Sequence, residues 1–359
     1  HTSSHDVHRN PSCGPARTTV AGTVAAVTDP REPTIVADLS ETELIARFTP
    51  LLPRGRATVV PTGDDAAVVA APDGRFVVST DVLVEDHHFR RGWGSARDVG
   101  ARAAAQNLAD VVAMGAVPTS MVVGTVLPPT TPLEWVLDLA RGLADVCAPL
   151  GVGVDGGDLS AGEQVVVAVT VHGDLEGRAP VLRSGARPGD VVAHAGAIGR
   201  ATAGYAVLAT GSTSDDPEAA VAVGAFLRPT PPYALGPAAA EAGATAMMDV
   251  SDGLLRDAGR MARASGVDLV LDPVAESLAA DLEELAPLAR RLGAHPVVWL
   301  LAGGEDHGLL ATFPPDRPLP DGFRRLGVVT GPGPDGPAVV LHPQDRTHAA
   351  DTGWDHFRP

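Results

Sequence analysis

The chain contains no lysine: all 27 of its basic residues are arginine. That absence excludes the chemistries that need a primary amine, among them the P-loop lysine, the kinase strand lysine, a Schiff base and a Ser–Lys nucleophile. Aromatic residues make up only 4%, so the core must be built from Val, Leu, Ile and Ala. The two cysteines, Cys13 and Cys147, form no CxxC pair and imply neither a disulfide framework nor a zinc site. Such cysteine usage fits a reducing, cytoplasmic setting. No apolar run reaches the ~20 residues of a bilayer span, so no membrane role is expected. With 44 acidic residues the formal charge is −17, and no basic stripe stands out for nucleic acid. There is no G-x-S-x-G elbow, which disfavours an α/β-hydrolase. Any handling of phosphate falls to Arg, backbone N–H groups and metal ions.

What is present suits a globular α/β protein. At 359 residues the chain is long enough for one large domain or two ordinary ones, and its 40 Gly and 32 Pro point to many tight connections. Residues 1–34, rich in His, Ser, Thr, Pro and Gly, read as a flexible extension, with order expected from about Leu39. Ser40 and Glu43 have capping-box spacing ahead of Leu44, Ile45 and Phe48. Ser95–Ala116 predicts a helix capped by Ser95 and stopped at Gly115 and Pro118, with Asn107 and Asp110 on one face. Thr131–Leu150 predicts an amphipathic helix. Short Val-rich runs at Ala66–Ala70, Phe76–Ser79, Met121–Leu127 and Val165–Val171 predict strands. The Gly/Pro/Arg-rich stretch between Gly173 and Asp190 divides an N-terminal domain, 35–175, from a C-terminal one, 176–359.

Six acidic motifs recur, each expected at the end of an apolar run beside Gly or a small hydroxyl residue. They are Gly63-Asp64-Asp65, Ser79-Thr80-Asp81, Asn107 to Asp110, Gly156-Gly157-Asp158, Asp249-Val250-Ser251-Asp252-Gly253 and Gly303-Gly304-Glu305-Asp306. One Gly-Asp alone is a turn or a helix cap. Together they suit Mg²⁺, which takes a few carboxylates along with substrate phosphates. Ser251 follows a predicted strand and is expected to cap a helix, whose N-terminus suits phosphate. Gly196-Ala197-Ile198-Gly199 lacks the full dinucleotide pattern and reads as close packing. His87 and His88, adjacent in a chain taken as extended, are expected to face opposite ways.

In this order the motifs resemble the thiamine-monophosphate kinase family of the aminoimidazole ribonucleotide synthetase-like superfamily. The resemblance runs from about Glu43 to Phe357. It rests on the six motifs together with His88-Phe89, Ala113-Met114-Gly115-Ala116, Arg183-Ser184-Gly185-Ala186, Pro188-Gly189-Asp190 and the closing Gly353-Trp354-Asp355-His356-Phe357. It implies two α/β domains, the N-terminal sheet pairing across a homodimer, and ATP-dependent phosphorylation of thiamine monophosphate by in-line transfer with several Mg²⁺ ions. By motif, Asp65, Ser79, Thr80, Asp81, Asp110, Asp158, Asp249 and Asp252 would hold metal, with Asp65, Asp81, Asp110 and Asp252 closest to the chemistry. Gly157, Asp158, Arg183 and Ser251 would contact ATP. His88, Glu305 and Trp354 would face the thiamine substrate, Trp354 offering its ring to the thiazolium cation.

The chain departs from the family pattern in several places. His307 and Gly308 follow Gly-Gly-Glu-Asp where the family usually has an aromatic residue, Leu159 replaces a Thr, and Pro61-Thr62 precede Gly63. Two alternatives stay open: a sister ATP-dependent enzyme of the same superfamily, and a non-catalytic binder of nucleotide or thiamine phosphate. A selenophosphate synthetase would need a reactive Cys or Sec near its N-terminus, and a hydrogenase-maturation protein a Cys-bearing tail.

Overall fold

The computed structural model describes residues 33–63, 66–211, 216–348 and 353. Most of the N-terminal extension therefore lies outside the described residues, as do Asp64, Asp65 and Trp354 to Phe357.

The first half runs α1 (Glu41–Phe48), β1 (Thr58–Val60), β2 (Val68–Val69), β3 (Val77–Val84), α2 (Ala96–Ala113) and β4 (Val117–Leu127). It continues with α3 (Leu133–Leu150), β5 (Gly153–Ala161) and β6 (Val166–Asp174). The second half begins β7 (Val191–Ala195), α4 (Arg200–Ala209), α5 (Pro217–Leu227), α6 (Leu235–Glu241) and β8 (Ala246–Val250). After these come α7 (Leu254–Ser265), β9 (Asp268–Leu271), α8 (Val274–Ser277), α9 (Ala279–Arg291) and α10 (Pro296–Ala302). The described chain closes with β10 (Gly308–Phe313), β11 (Phe323–Thr330) and β12 (Val339–Val340).

β1 and β2 form a small antiparallel pair, and two larger sheets organise the remaining elements. The first has strand order β3-β6-β4-β5, antiparallel except for β4 with β5. The second has order β12-β9-β11-β7-β10-β8, antiparallel except for β12 with β9. The caps expected from sequence form: Ser40 with Glu43 starts α1, and Ser95 with Asp98 starts α2. Order begins earlier than Leu39, because the Val36 N–H reaches the Thr131 carbonyl at 2.8 Å and Ile35 bridges to Pro132.

Helix α2 is the centre of the molecule. Fifteen of its 18 residues are buried, so it carries Ala on every side instead of one apolar stripe. On one flank it packs with α3 over the first sheet, in a core of Leu83, Leu108, Val111, Met121, Leu143 and Val167. On the other, Ala113 joins a core with Met247, Leu309, Phe313 and residues of α6. A third core lies between the second sheet and α7, α9 and α10, through Met248, Leu269, Met261, Leu285 and Leu300.

The crossing of α2 and α3 depends on two glycines. A Cβ at Gly100 would overlap the Leu139 carbonyl oxygen, and one at Gly142 the Arg97 carbonyl oxygen. Backbone cannot yield there as a flexible side chain could. Gly142→Ala is therefore expected to cost about 1–3 kcal/mol in urea unfolding; an unchanged midpoint would show that the helices can part freely.

His194 on β7 is fully buried, accepts from Arg324 at 3.3 Å, and its Nε2 has no partner. Burial, reinforced by the Arg324 charge, pulls its pKa down to about 3. The unfolded chain then binds the proton more tightly, so stability is complete above about 6.5 and falls as pH drops toward 3. Between pH 7 and pH 5 this group alone should remove about 2 kcal/mol. Urea titrations of wild type and His194→Gln at both pH values measure it: the variant should lack that share of the acid loss.

Candidate active site

Strand β3 and helix α2 clasp each other through polar side chains. The pleat sends Ser79 and Asp81 to the helix side and Thr80 to the other. Ser79 donates to Asp110 Oδ2 at 2.6 Å, and the Asp81 N–H donates to Asn107 Oδ1 at 3.0 Å. Asn107 is fixed in turn by donating to the Ala103 carbonyl, while Gln106 reaches Asp81 Oδ2 at 3.4 Å. A polar stripe on an alanine-rich helix thus exists to hold a strand carrying carboxylates.

From the second half, β8 brings Asp249, and the loop between α10 and β10 brings Glu305 and His307. Both loop residues adopt a left-handed backbone, φ +72° and +53°. His307 Nδ1 lies 3.2 Å from Asp249 Oδ2, and its buried Nε2 lies 3.9 Å from Glu305 Oε2. Glu305 is held by Arg102 of α2 at 2.6 Å, and that guanidinium also donates to the Phe226 carbonyl at 3.0 Å.

Groups from the two halves act on one another through their charges. Burial, then the negative charge of Asp249, pushes the Asp110 carboxyl up to about 7, against the pull of Ser79. Asp81 is raised by burial and by the charges of Asp249 and Glu305, with His307 opposing. Burial alone would raise Glu305, but Arg102, His307 and His88 outweigh it and hold the pKa low. Burial would likewise depress His307, yet the bond and charge of Asp249, with Glu305, raise it.

Such a surplus of crowded negative charge is relieved by a hard cation, and the donors at hand are carboxylate and hydroxyl oxygens. Among the described residues no group of three or more His, Cys, Asp or Glu side chains is placed to hold a metal ion by itself. Mg²⁺ does not require one, since it keeps waters and substrate phosphates in its shell. The residues present fit that ion.

Several residues singled out in the sequence stand elsewhere. Thr80 points to the far face of the sheet, donating to the Val169 carbonyl at 2.9 Å. Asp158 sits within β5 rather than at a strand end, bonded to Ser160. It lies in register with Gly124, Ala168 and Val82, so roughly 14 Å of strand spacing separates it from β3. Arg183 is exposed near Ser265, at the far end of α7 from Ser251, roughly 18 Å along the helix. Asp65 and Trp354 fall outside the described residues, though Gly353 packs on Asp252, whose carbonyl oxygen a Cβ there would overlap.

Two local expectations are corrected, those for Ser251 and His88. Ser251 does not cap α7: the N-cap is Gly253 at φ +113°, and the Ser251 N–H is taken by the Asp257 carboxylate at 3.1 Å. Asp252 is paired with Arg260 at 2.6 Å. His88 is not in extended chain but in a turn after β3, where its Nδ1 accepts the Val84 N–H at 3.0 Å. Gly157 owes its lack of a side chain to strand pairing, because a Cβ would overlap the Val123 carbonyl oxygen. Beside it lies an apolar pocket of about 170 Å³ between α1, α3 and β4–β5, walled by Phe48, Leu52, Leu143 and Val154.

Sequence reasoning missed Arg102 and Asp257. Only their contacts betray them, since an Arg in the Ala-rich run and an Asp six residues past Ser251 carry no pattern of their own.

Two family models match the chain: the N-terminal domain of AIR synthase related protein over residues 63–175, and its C-terminal domain over 187–292. The thiamine-monophosphate kinase of Mycobacterium tuberculosis is 48% identical over 311 residues, which is 85% of this chain and 89% of that protein. The chain belongs to the thiamine-monophosphate kinase family. That of Corynebacterium glutamicum is 39% identical, covering 91% of this chain and 96% of its own. A solved structure, AaThiL complexed with AMPPCP and TMP, superposes with a TM-score of 0.71 at 30% identity, covering 88% and 96% of the two chains. The fold is thus the two-domain α/β architecture of that superfamily, and the chain is an enzyme of the kinase type. No described helix is long and apolar enough to cross a membrane.

Proposed function

We propose that this protein transfers the γ-phosphoryl group of ATP to thiamine monophosphate, giving ADP and thiamine diphosphate. The observation that supports the reading is that Asp81, Asp110 and Asp249, from three separate parts of the chain, act on one another through their charges. Relatives named for this activity, and one solved with an ATP analogue and TMP, supply the substrates.

The acceptor is already an anionic phosphate oxygen, so no strong protein base is needed. It attacks the γ-phosphorus in line, the new P–O–P bond forms, and the bond to the ADP oxygen breaks. Bound Mg²⁺, in a chain without lysine, would supply the positive charge that offsets the triphosphate. Asp81, Asp110 and Asp249 would hold it, with Ser79 and Asn107 fixing the first two in place. Arg102 fixes Glu305, which with His88 and the Trp354 segment would orient the thiamine phosphate. The apolar pocket beside Gly157 is of a kind that takes a nucleotide's base.

The chain would work as a homodimer. Val78 and Val82 on β3 are exposed, as are Val59, Val68 and Phe76, and a second copy would cover the apolar side of β3. Asp158 and Arg183, remote from the cluster within one protomer, remain proposed ligands for metal and nucleotide.

Incubation with MgATP and thiamine monophosphate, followed by ³¹P NMR, tests the reading. ADP and thiamine diphosphate should form in equal amounts. Tight binding of both substrates without turnover would make the protein a binding module instead.

A further inference from the structure

Asp257 is a buried carboxylate that the reaction above does not use. It lies in the first turn of α7, wholly out of solvent. Its Oδ2 accepts two backbone N–H groups, of Ser251 at 3.1 Å and Asp252 at 2.9 Å. Its Oδ1 accepts one arm of the Arg260 guanidinium at 2.6 Å, and the other arm lies 2.6 Å from Asp252 Oδ2. A closed ring of hydrogen bonds therefore runs from the turn to the helix and back to the side chain of Asp252.

This arrangement has a chemical reason to be a carboxylate. A hydroxyl or an amide could cap the turn, but neither accepts two N–H groups and a guanidinium together. The choice is costly for the free group: burial, and then the nearby Asp249, push its pKa up to about 6 against the pull of the turn's N–H groups. The opposite side of the turn is held as well. The Glu305 N–H donates to the Ser251 carbonyl at 2.8 Å, and a Cβ on Gly304 would overlap that same oxygen. Two independent anchors thus grip Ser251 and Asp252, in the turn that directly follows Asp249 and Val250.

We propose that Asp257 is a positioning residue: it sets the Asp249–Gly253 turn and, through Arg260, aims the Asp252 carboxylate, so that both aspartates face one cation–phosphate assembly. This rests on the metal reading given under the proposed function. Asp257 itself touches neither metal nor substrate. Its effect passes through the backbone of Ser251 and Asp252 and through a guanidinium that keeps one Asp252 oxygen engaged.

The test uses Mn²⁺ as the probe, titrated by EPR into the full-length protein with a non-hydrolysable ATP analogue. Wild type should bind Mn²⁺, and Asp257→Asn should bind it about tenfold or more weakly. Arg260 is one-third exposed, so Arg260→Gln should fold normally and still weaken Mn²⁺ several-fold, with partial rescue in Arg260→Lys. Should Asp257→Asn fail to fold, the two Arg260 variants decide. Unchanged Mn²⁺ affinity in the folded variants, even with a lowered Tm, overturns the proposal and leaves Asp257 as a structural cap. A wild-type protein that takes up no Mn²⁺ defeats the metal reading, and this inference with it.

Discussion

Asp110→Asn should lower turnover by about 10³-fold or more while leaving the protein folded. Asn is nearly isosteric and can still accept the Ser79 hydroxyl, which lies 2.6 Å from Asp110 Oδ2. What it lacks is the charge. Burial and the Asp249 carboxylate drive the Asp110 pKa upward, so the ionised group is a net burden on the metal-free fold. Removing it should leave the metal-free Tm unchanged or raise it by about 2–4 °C. That pairing of lost turnover with undiminished stability separates a functional charge from a packing role. Wild-type turnover in Asp110→Asn, or a large fall in Tm, would contradict the assignment.

The second large effect is expected at Arg102. Its guanidinium is 4% exposed, bonds Glu305 and the Phe226 carbonyl, and lies 4.3 Å over the Phe226 ring. Arg102→Met fills the volume but releases Glu305, whose left-handed backbone then lacks its tether. The apparent KM for thiamine monophosphate should rise by about 10–100-fold with a much smaller change in kcat, because the loss falls on substrate orientation. Stability should fall by about 1–3 kcal/mol, since the Phe226 carbonyl loses a charged donor while Glu305 keeps partial access to water. Lys at this position should not restore KM, as it cannot reach both the carboxylate and the Phe226 carbonyl with a planar fork. An unchanged KM would reduce Arg102 to a packing residue.

Much of this architecture could be read from the residues in order. The capping box at Ser40 and the N-cap at Ser95 worked because they involve only neighbours four or fewer positions apart. Asn107 and Asp110 were legible as a polar pair on an apolar helix, and their partners on β3 were legible as a motif. Their meeting was not, because it depends on tertiary packing. Ser251 failed for a local reason with a distant signature: Gly253 shifted the helix start, and Asp257, inside the helix, holds the turn by accepting the N–H groups of Ser251 and Asp252. Placing carboxylates at strand ends also failed, since Asp81 and Asp158 lie within long strands, where edge position and pleat decide which side chains meet. The pairing of Asp252 with Arg260 was invisible because Asp252 lies ahead of α7, outside the three- and four-residue spacing of a helix face.

Turnover is expected to depend on a divalent cation held by carboxylates drawn from both halves of the chain. The most direct test is the rate of thiamine diphosphate formation in protein stripped with EDTA, measured before and after Mg²⁺ is restored, in wild type and Asp110→Asn. The prediction is no product without metal, full recovery in wild type and none in the variant. Product formed at the same rate in the metal-free protein would contradict it.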